Sequence, residues 1–144
     1  MSARTARNER VIAAPPAVVG AVLADPEVFP QVAAGRSGEF EGVWPQVGSV
    51  CRVQRGVGPL HAADVMRVTR REGYGFQVVG GTDGVLTGTV TIDVQPIGED
   101  RTRVQLVEEP TGGVGRFLPG LQTLLERRND GVLDRLEEQV AART

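Results

Sequence analysis

Three charged residues fall on strand faces that are otherwise apolar. Residues two apart along a strand share a face, so each charge can be assigned by its neighbours. The three residues, each with an apolar neighbour on its own face, are Arg55 with Val53, Asp64 with Met66, and Glu108 with Leu106. A charge on an apolar face is costly unless it is paired or partly hydrated, so these residues need an explanation.

Two interpretations of these charges stay open. In the first, Arg55 and Glu108 lie at strand ends and reach solvent, while Asp64 pairs with Arg55 across a hairpin. In the second, they line a cavity and orient the polar group of an otherwise apolar ligand. Under the second interpretation the Glu108 carboxylate is also a candidate general base.

The residues most often used in catalysis and metal binding are scarce. His61 is the only histidine, and alternation from Met66 and Val68 places it on the outer face, where we expect it to be exposed and inert. Cys51 is the only cysteine and is interpreted as a small buried hydrophobe. One histidine and one cysteine are too few for the usual nitrogen and sulfur sites, so no metal and no disulfide are expected.

A glycine-rich stretch, TGGVGRFLPG at residues 111–120, separates a strand-like run from a helix-like one. Such a turn can bind phosphate through its backbone N–H groups. The spacing here is G-x-G-x-x-x-x-G instead of G-x-G-x-x-G, and no parallel strand can follow the helix. The stretch is therefore interpreted as a cavity entrance with Phe117 as an apolar lip, or as a surface loop without a role.

Composition excludes several classes of protein. The chain has 144 residues and 40% hydrophobic content, which predicts one domain over residues 1–144. The net charge of −2 argues against a nucleic-acid partner. All 16 basic residues are arginine, which removes Schiff-base amines and phosphate-loop lysines. No cofactor is expected.

The sequence also indicates where the protein is located in the cell and leaves its oligomeric state open. No apolar run approaches the ~20 residues that span a bilayer, and the first residues lack the apolar segment of a signal peptide. We therefore expect no stable membrane insertion and a cytoplasmic location. A monomer and a homodimer both stay open.

Hydrophobic periodicity and turn residues predict the order of the elements. A first strand, RNERVIA at residues 7–13, precedes a short helix at residues 16–23 and a second short helix, PEVFPQVA, that begins after Asp25. The period then changes to two from Gly38 to Glu109, which predicts an antiparallel meander of about six strands. A long amphipathic helix from about Pro119 to Ala141 follows.

This order resembles the START-like or SRPBCC superfamily, whose helix-grip fold is shared by polyketide cyclases and lipid carriers. The resemblance rests on VIAAPPAVVGAVLADPEVFPQV followed by FEGVWPQVGSVCRV and covers almost the whole chain. It implies an α+β domain in which a curved antiparallel sheet of six to seven strands surrounds the long C-terminal helix. It carries no catalytic motif, because the superfamily shares a cavity and not a set of reactive residues.

Alternation and helix periodicity together predict which side chains line the cavity. The predicted lining consists of Trp44, Arg55, Asp64, Met66, Tyr74, Phe76, Glu108, Phe117, Leu121 and Leu125. Arg128 and Asn129 lie nearest the apolar stripe of the long helix and can also turn inward.

Three hypotheses of function follow, and the sequence does not decide whether the protein is an enzyme. The first is binding of a small hydrophobic molecule such as a lipid, an isoprenoid or a polyketide. The second is an aromatase or cyclase that uses polar cavity residues. The third is a protein-interaction module that accepts a partner's apolar segment in the same groove.

Overall fold

The structure is a computed structural model that describes residues 5–57, 60–82 and 84–144. It contains seven strands and three α-helices within those residues. The strands are β1 (Ala6–Ile12), β2 (Glu39–Glu41), β3 (Val50–Val57), β4 (Leu60–Glu72), β5 (Gly75–Thr82), β6 (Leu86–Gly98) and β7 (Arg101–Gly112). The helices are α1 (Pro16–Leu23), α2 (Phe29–Ala34) and α3 (Leu121–Ala141).

All seven strands form one curved antiparallel sheet in the order β1-β7-β6-β5-β4-β3-β2. Strands β2 to β7 pair with their neighbours in the chain, which confirms the predicted meander. Strand β1 joins at the far edge by pairing with β7, for example Asn8 with Leu106. The sheet stays open, with β1 and β2 at its two edges.

Prolines and a glycine determine where the two short helices begin and end. Helix α1 begins at Pro16 as predicted, because the fixed φ of proline suits the first helical turn. Helix α2 begins at Phe29, three residues later than predicted, because Asp25 forms a preceding turn in which its carboxylate accepts from the Glu27 N–H at 2.9 Å. Gly35, with a φ of 67°, ends α2.

Helix α3 packs its apolar face on the concave side of the sheet. Its buried positions are spaced by three or four residues: Leu121, Leu125, Asn129, Leu133, Leu136 and Val140. Polar contacts fasten the helix to β1, where the Asn8 amide donates to the Asp130 carboxylate at 2.8 Å and Arg10 lies 2.9 Å from Asp134. The helix-grip architecture expected from the resemblance is confirmed. No helix in the described part of the chain is long and apolar enough to cross a membrane.

An aromatic cluster fills one end of the space between sheet and helices. The ring centroids of Phe29 and Trp44 are 4.8 Å apart, those of Trp44 and Phe76 are 5.5 Å apart, and Phe40 contacts Trp44 at 5.2 Å. The Trp44 indole N–H donates to the carbonyl oxygen of Leu23 at 3.1 Å. These contacts fill this end of the layer with aromatic side chains.

Candidate functional site

A cavity of about 260 Å³ lies between the concave face of the sheet and helices α2 and α3. Most of its wall is apolar and comes from α2, α3 and strands β4 to β7, with Leu23 contributed by α1. The apolar side chains of the wall are Leu23, Phe29, Val32, Ala33, Met66, Val78, Val85, Leu86, Val90, Ile92, Leu106, Val132, Leu133 and Leu136. The polar side chains are Asp64, Thr82, Thr87, Glu108, Arg128 and Asn129.

Paired glycines help to create this space. Along the inner face of β5 the side chains shorten from Phe76 through Val78 to Gly80. Gly80 pairs directly with Gly88 on β6, and both glycines line the cavity. A Cβ at Gly80 would collide with the Val65 carbonyl oxygen on β4, and one at Gly88 would lie 2.5 Å from the Glu109 carbonyl oxygen on β7. Glycine here allows neighbouring strands to approach closely and adds no side chain to the cavity. Glycine inside a strand is the sequence signal that points to such a site.

Glu108 is the central polar group of the cavity wall. It is 6% exposed, as alternation with Leu106 predicted. The Arg128 Nη2 group donates to both of its carboxylate oxygens, at 2.6 and 2.5 Å, and the Asn129 amide donates at 3.0 Å. The buried charge is therefore paired and held from two sides, as a stable buried carboxylate requires.

Arg128 and Asn129 turn toward the sheet, as the helix pattern allowed. The Arg128 side chain is 39% exposed while that of Glu108 is 8% exposed, so the arginine reaches from the cavity wall to solvent. The interpretation in which Glu108 itself extends into solvent is wrong.

Asp64 forms a second polar group in the wall. It lies on β4 next to Met66, and its carboxylate accepts a hydrogen bond from the Thr82 hydroxyl on β5. Strands β5 and β6 separate it from Glu108 on β7. The cavity therefore offers polar groups at two places on the sheet instead of one.

The structure brings Asp64, Met66 and Glu108 of the predicted set together around the cavity. The Arg55 and His61 side chains lie outside the described residues. For Asp64, Met66 and Glu108, strand alternation alone predicted the inner-face position, without any knowledge of how the elements pack.

Three predicted aromatic residues do not line the cavity. Trp44 and Phe76 are buried in the aromatic cluster, because Phe29 of α2 occupies the space that they would otherwise border. Tyr74 is 46% exposed and precedes β5, where its ring packs beside Gly20 of α1. For Trp44 and Phe76, the space was filled by a helix that strand alternation cannot position, whereas Tyr74 lies in the turn before β5.

Three other predicted lining residues also lie elsewhere. Phe117 is 65% exposed, and the Arg116 guanidinium lies 4.7 Å from its ring centroid. Leu121 and Leu125 are buried, as their period predicted, but they form a separate small cluster with Ala6. The first turns of α3 thus pack beyond the end of the cavity.

The glycine-rich stretch packs against the turn between β5 and β6. It contains a 3-10 turn, Val114–Phe117, whose Gly115 N–H donates to the carbonyl oxygen of Val85 at 2.6 Å. Gly113 has a φ of 86°, and a Cβ added there would lie 2.5 Å from the same carbonyl oxygen. Close backbone approach explains this glycine, and the bonded Gly115 N–H does not point to a phosphate.

Cys51 is fully buried, as predicted, and burial raises the pKa of its thiol to about 12. A thiol held neutral in this way is not an activated nucleophile. Within the described residues, no group of three histidine, cysteine, aspartate or glutamate side chains is arranged to hold a metal ion.

Solved structures from several bacteria share this fold. A Thermus thermophilus protein is 24% identical, with a TM-score of 0.72 over 97% of this chain and 99% of that chain. A START superfamily protein from Mycobacterium smegmatis is 16% identical, with a TM-score of 0.74 over 97% and 99%. The Zhui aromatase/cyclase from a Streptomyces species is 17% identical, with a TM-score of 0.72 over 97% and 94%.

At these identities the likeness shows the fold alone. No curated protein sequence matches the chain. A family model described as polyketide cyclase / dehydrase and lipid transport matches residues 3–141, which include every described strand and helix. The chain therefore belongs to the polyketide cyclase / dehydrase and lipid transport family.

Proposed function

We propose that this protein binds a small, mostly apolar molecule in the cavity between the sheet and α3. The observation that carries the proposal is a cavity of about 260 Å³ with an apolar wall and a few polar groups, which is the usual design of a small-molecule site. Lipids, isoprenoids and polyketides are the ligand classes that suit such a wall. The family description, which joins polyketide cyclases with lipid transport, supports the same classes.

The volume limits the size of the ligand. A cavity of about 150 Å³ holds benzene, and drug-sized molecules occupy sites of roughly 300–1,000 Å³. A cavity of about 260 Å³ suits a molecule of one or two rings or a short branched chain. A lipid with two long acyl chains exceeds it.

An aromatase or cyclase activity is the second candidate function. It is favoured by the Glu108 carboxylate, which lines the cavity and is held in one orientation by Arg128 and Asn129. A fixed carboxylate beside a bound polyketide chain can accept a proton from a carbon next to a carbonyl group. The fold likeness to an aromatase/cyclase adds a precedent for this chemistry on the same scaffold. Loss of product formation in Glu108→Gln, with ligand still bound, would support it.

Filling the cavity tests the binding proposal. Val90 lines the cavity and pairs with both Val78 and Glu108, so Val90→Phe places a ring in the middle of the open space. We expect 1-naphthylamine, an uncharged two-ring fluorescent probe, to bind the unmodified protein and to bind Val90→Phe roughly tenfold more weakly.

The matched control is Val79→Phe. Val79 is the next residue after Val78 on β5 but faces outward and is 41% exposed. This variant should keep the affinity of the unmodified protein. Equal weakening by both substitutions, or unchanged binding in Val90→Phe, would contradict the proposal that the probe enters this cavity.

A further inference from the structure

The polar wall of the cavity has hydrogen-bond donors that the described residues do not use. A guanidinium carries five N–H donors on three nitrogens. The bonds from Arg128 to Glu108 come from Nη2 alone, and in the described part of the chain the Arg128 Nε and Nη1 donate to no protein group. Three donors of this cavity-lining residue therefore have no protein partner within the described residues, and the side chain is 39% exposed.

The guanidinium is also held in position before any ligand arrives. Asn129 donates to Glu108 Oε1 at 3.0 Å, and the neighbouring Arg128 donates to the same oxygen at 2.6 Å. Because both Arg128 and Asn129 hold the Glu108 carboxylate, the guanidinium group of Arg128 has a defined orientation. Fixed donors lose little conformational entropy when a ligand binds.

We propose that Arg128 forms a subsite that recognises a neutral carbonyl group of the ligand. The inference rests on the proposed function, since it requires a molecule in the cavity. The carbonyl oxygen accepts hydrogen bonds from the free guanidinium donors, and the apolar body of the ligand extends toward Ile92 and Leu133, which line the same cavity. Ketones, esters and thioesters are the chemical classes that fit.

The buried charge explains why the recognised group is neutral. Glu108 is buried, and Arg128 is its cationic partner. A ligand carboxylate would compete for this cation and bring a second negative charge beside a buried one, which is unfavourable. A carbonyl oxygen accepts from the remaining donors and leaves the ion pair intact. The subsite therefore selects against fatty acids and other carboxylates.

Apolar side chains of the cavity wall lie beside Glu108 and Arg128. Val90 lies directly opposite Glu108 in the pairing of β6 with β7, and Val132 follows one turn after Arg128 on α3. Hydrogen bonds are stronger where little water competes for the donor. The Arg128 side chain is 39% exposed, so a bound ligand must first displace water from its donors, and the gain in affinity comes from the part of the guanidinium that the ligand covers.

Three naphthalene probes of nearly equal size test the subsite by calorimetric titration of the full chain. 2-Acetylnaphthalene carries the carbonyl group, 2-isopropenylnaphthalene replaces the oxygen with a CH₂ group, and 2-naphthoate carries a negative charge. We expect the ketone to bind roughly tenfold more tightly than the isopropenyl compound, because hydrogen bonds to charged groups are among the stronger ones. The naphthoate should bind more weakly than the ketone.

Two variants test whether Arg128 causes the preference for the ketone over the isopropenyl compound. Glu108→Gln with Arg128→Met removes both charges together, so that no buried charge loses its partner, and circular dichroism checks the fold. In this double variant the ratio of ketone to isopropenyl affinity should fall to near one. Arg127→Met, a substitution at the exposed neighbouring position of α3, should keep the ratio.

The possible failures are distinguishable. If both neutral probes displace 1-naphthylamine with equal affinity, the cavity binds apolar molecules but the carbonyl subsite is wrong. A preference for the ketone that persists in the double variant, or tighter binding of the naphthoate than of the ketone, would also overturn the subsite. If no probe binds at all, the proposed function fails and the subsite fails with it.

Discussion

The two ends of the space between the sheet and the helices are filled in opposite ways. At one end, the rings of Phe29, Trp44 and Phe76 pack with centroids 4.8 to 5.8 Å apart. Toward the other end, the same strands carry the Gly80–Gly88 pair and a cavity of about 260 Å³ remains. Side-chain size along β5 and β6 thus divides one layer into a packed part and a binding part.

Deleting a large side chain should therefore cost much more at the packed end. Phe76 is 2% exposed and contacts two other rings, so Phe76→Ala should lower the free energy of unfolding by about 3–5 kcal/mol. Val90 borders space that is already empty, and Val90→Ala should cost less than about 2 kcal/mol. Urea denaturation measures both values. Equal losses would mean that the two ends are packed alike.

The charged pair at the cavity should respond asymmetrically to the loss of either partner. Arg128→Met leaves the buried Glu108 carboxylate without its cation and should cost about 3 kcal/mol. Glu108→Gln leaves a guanidinium that is 39% exposed and can be hydrated, so its cost should be about 1 kcal/mol.

The control for this pair is Arg127→Met, at an exposed position of the same helix, which should change the unfolding free energy by less than about 0.5 kcal/mol. Urea denaturation of the three variants under identical conditions provides the comparison. A larger loss in Glu108→Gln than in Arg128→Met would show that Glu108 is better hydrated than its burial indicates.

The contrast between the two ends also explains what the sequence could predict. Alternation correctly assigned Asp64, Met66 and Glu108 to the inner face, because a strand's period of two depends only on the strand itself. Alternation also placed Phe76 on that face, but whether an inner position borders empty space depends on what packs opposite. That information comes from Phe29 on α2 and cannot be read from β5.

Helix periodicity has the same limit. The period of α3 predicted the burial of Leu121 and Leu125, since it specifies the buried stripe. It does not specify how far along the sheet the helix begins, and the first turn packs against Ala6 instead of the cavity. The direction of these side chains was predictable, whereas their position along the helix axis relative to the cavity was not.

Ionisation of the Cys51 thiol should have a smaller effect on the free energy of unfolding. Cys51 lies opposite Phe40 on β2 and opposite Met66 on β4 in the sheet. Burial raises the pKa of its thiol from 9.0 to about 12, so above pH 9 the unfolded chain loses this proton before the folded chain does. The stability contribution is complete below pH 9 and is lost as the pH rises toward 12. Roughly 1 kcal/mol should disappear between pH 8 and pH 10.

Comparison with Cys51→Ala isolates this contribution, since other groups titrate equally in both proteins. The variant should show a smaller loss of unfolding free energy over the same pH interval, measured by urea denaturation. Equal losses in the two proteins would mean that water reaches the thiol in the folded state.

The bonds between β1 and α3 also bear on how the chain is made. The Asn8 amide contacts Asp130, 122 positions later, and Arg10 contacts Glu137, 127 positions later. On a ribosome, every strand emerges before the helix that covers the concave face. Until α3 arrives, the nascent sheet presents its apolar face to water, where chaperones and neighbouring chains can contact it. The same late-docking helix that completes the cavity also ends this exposure.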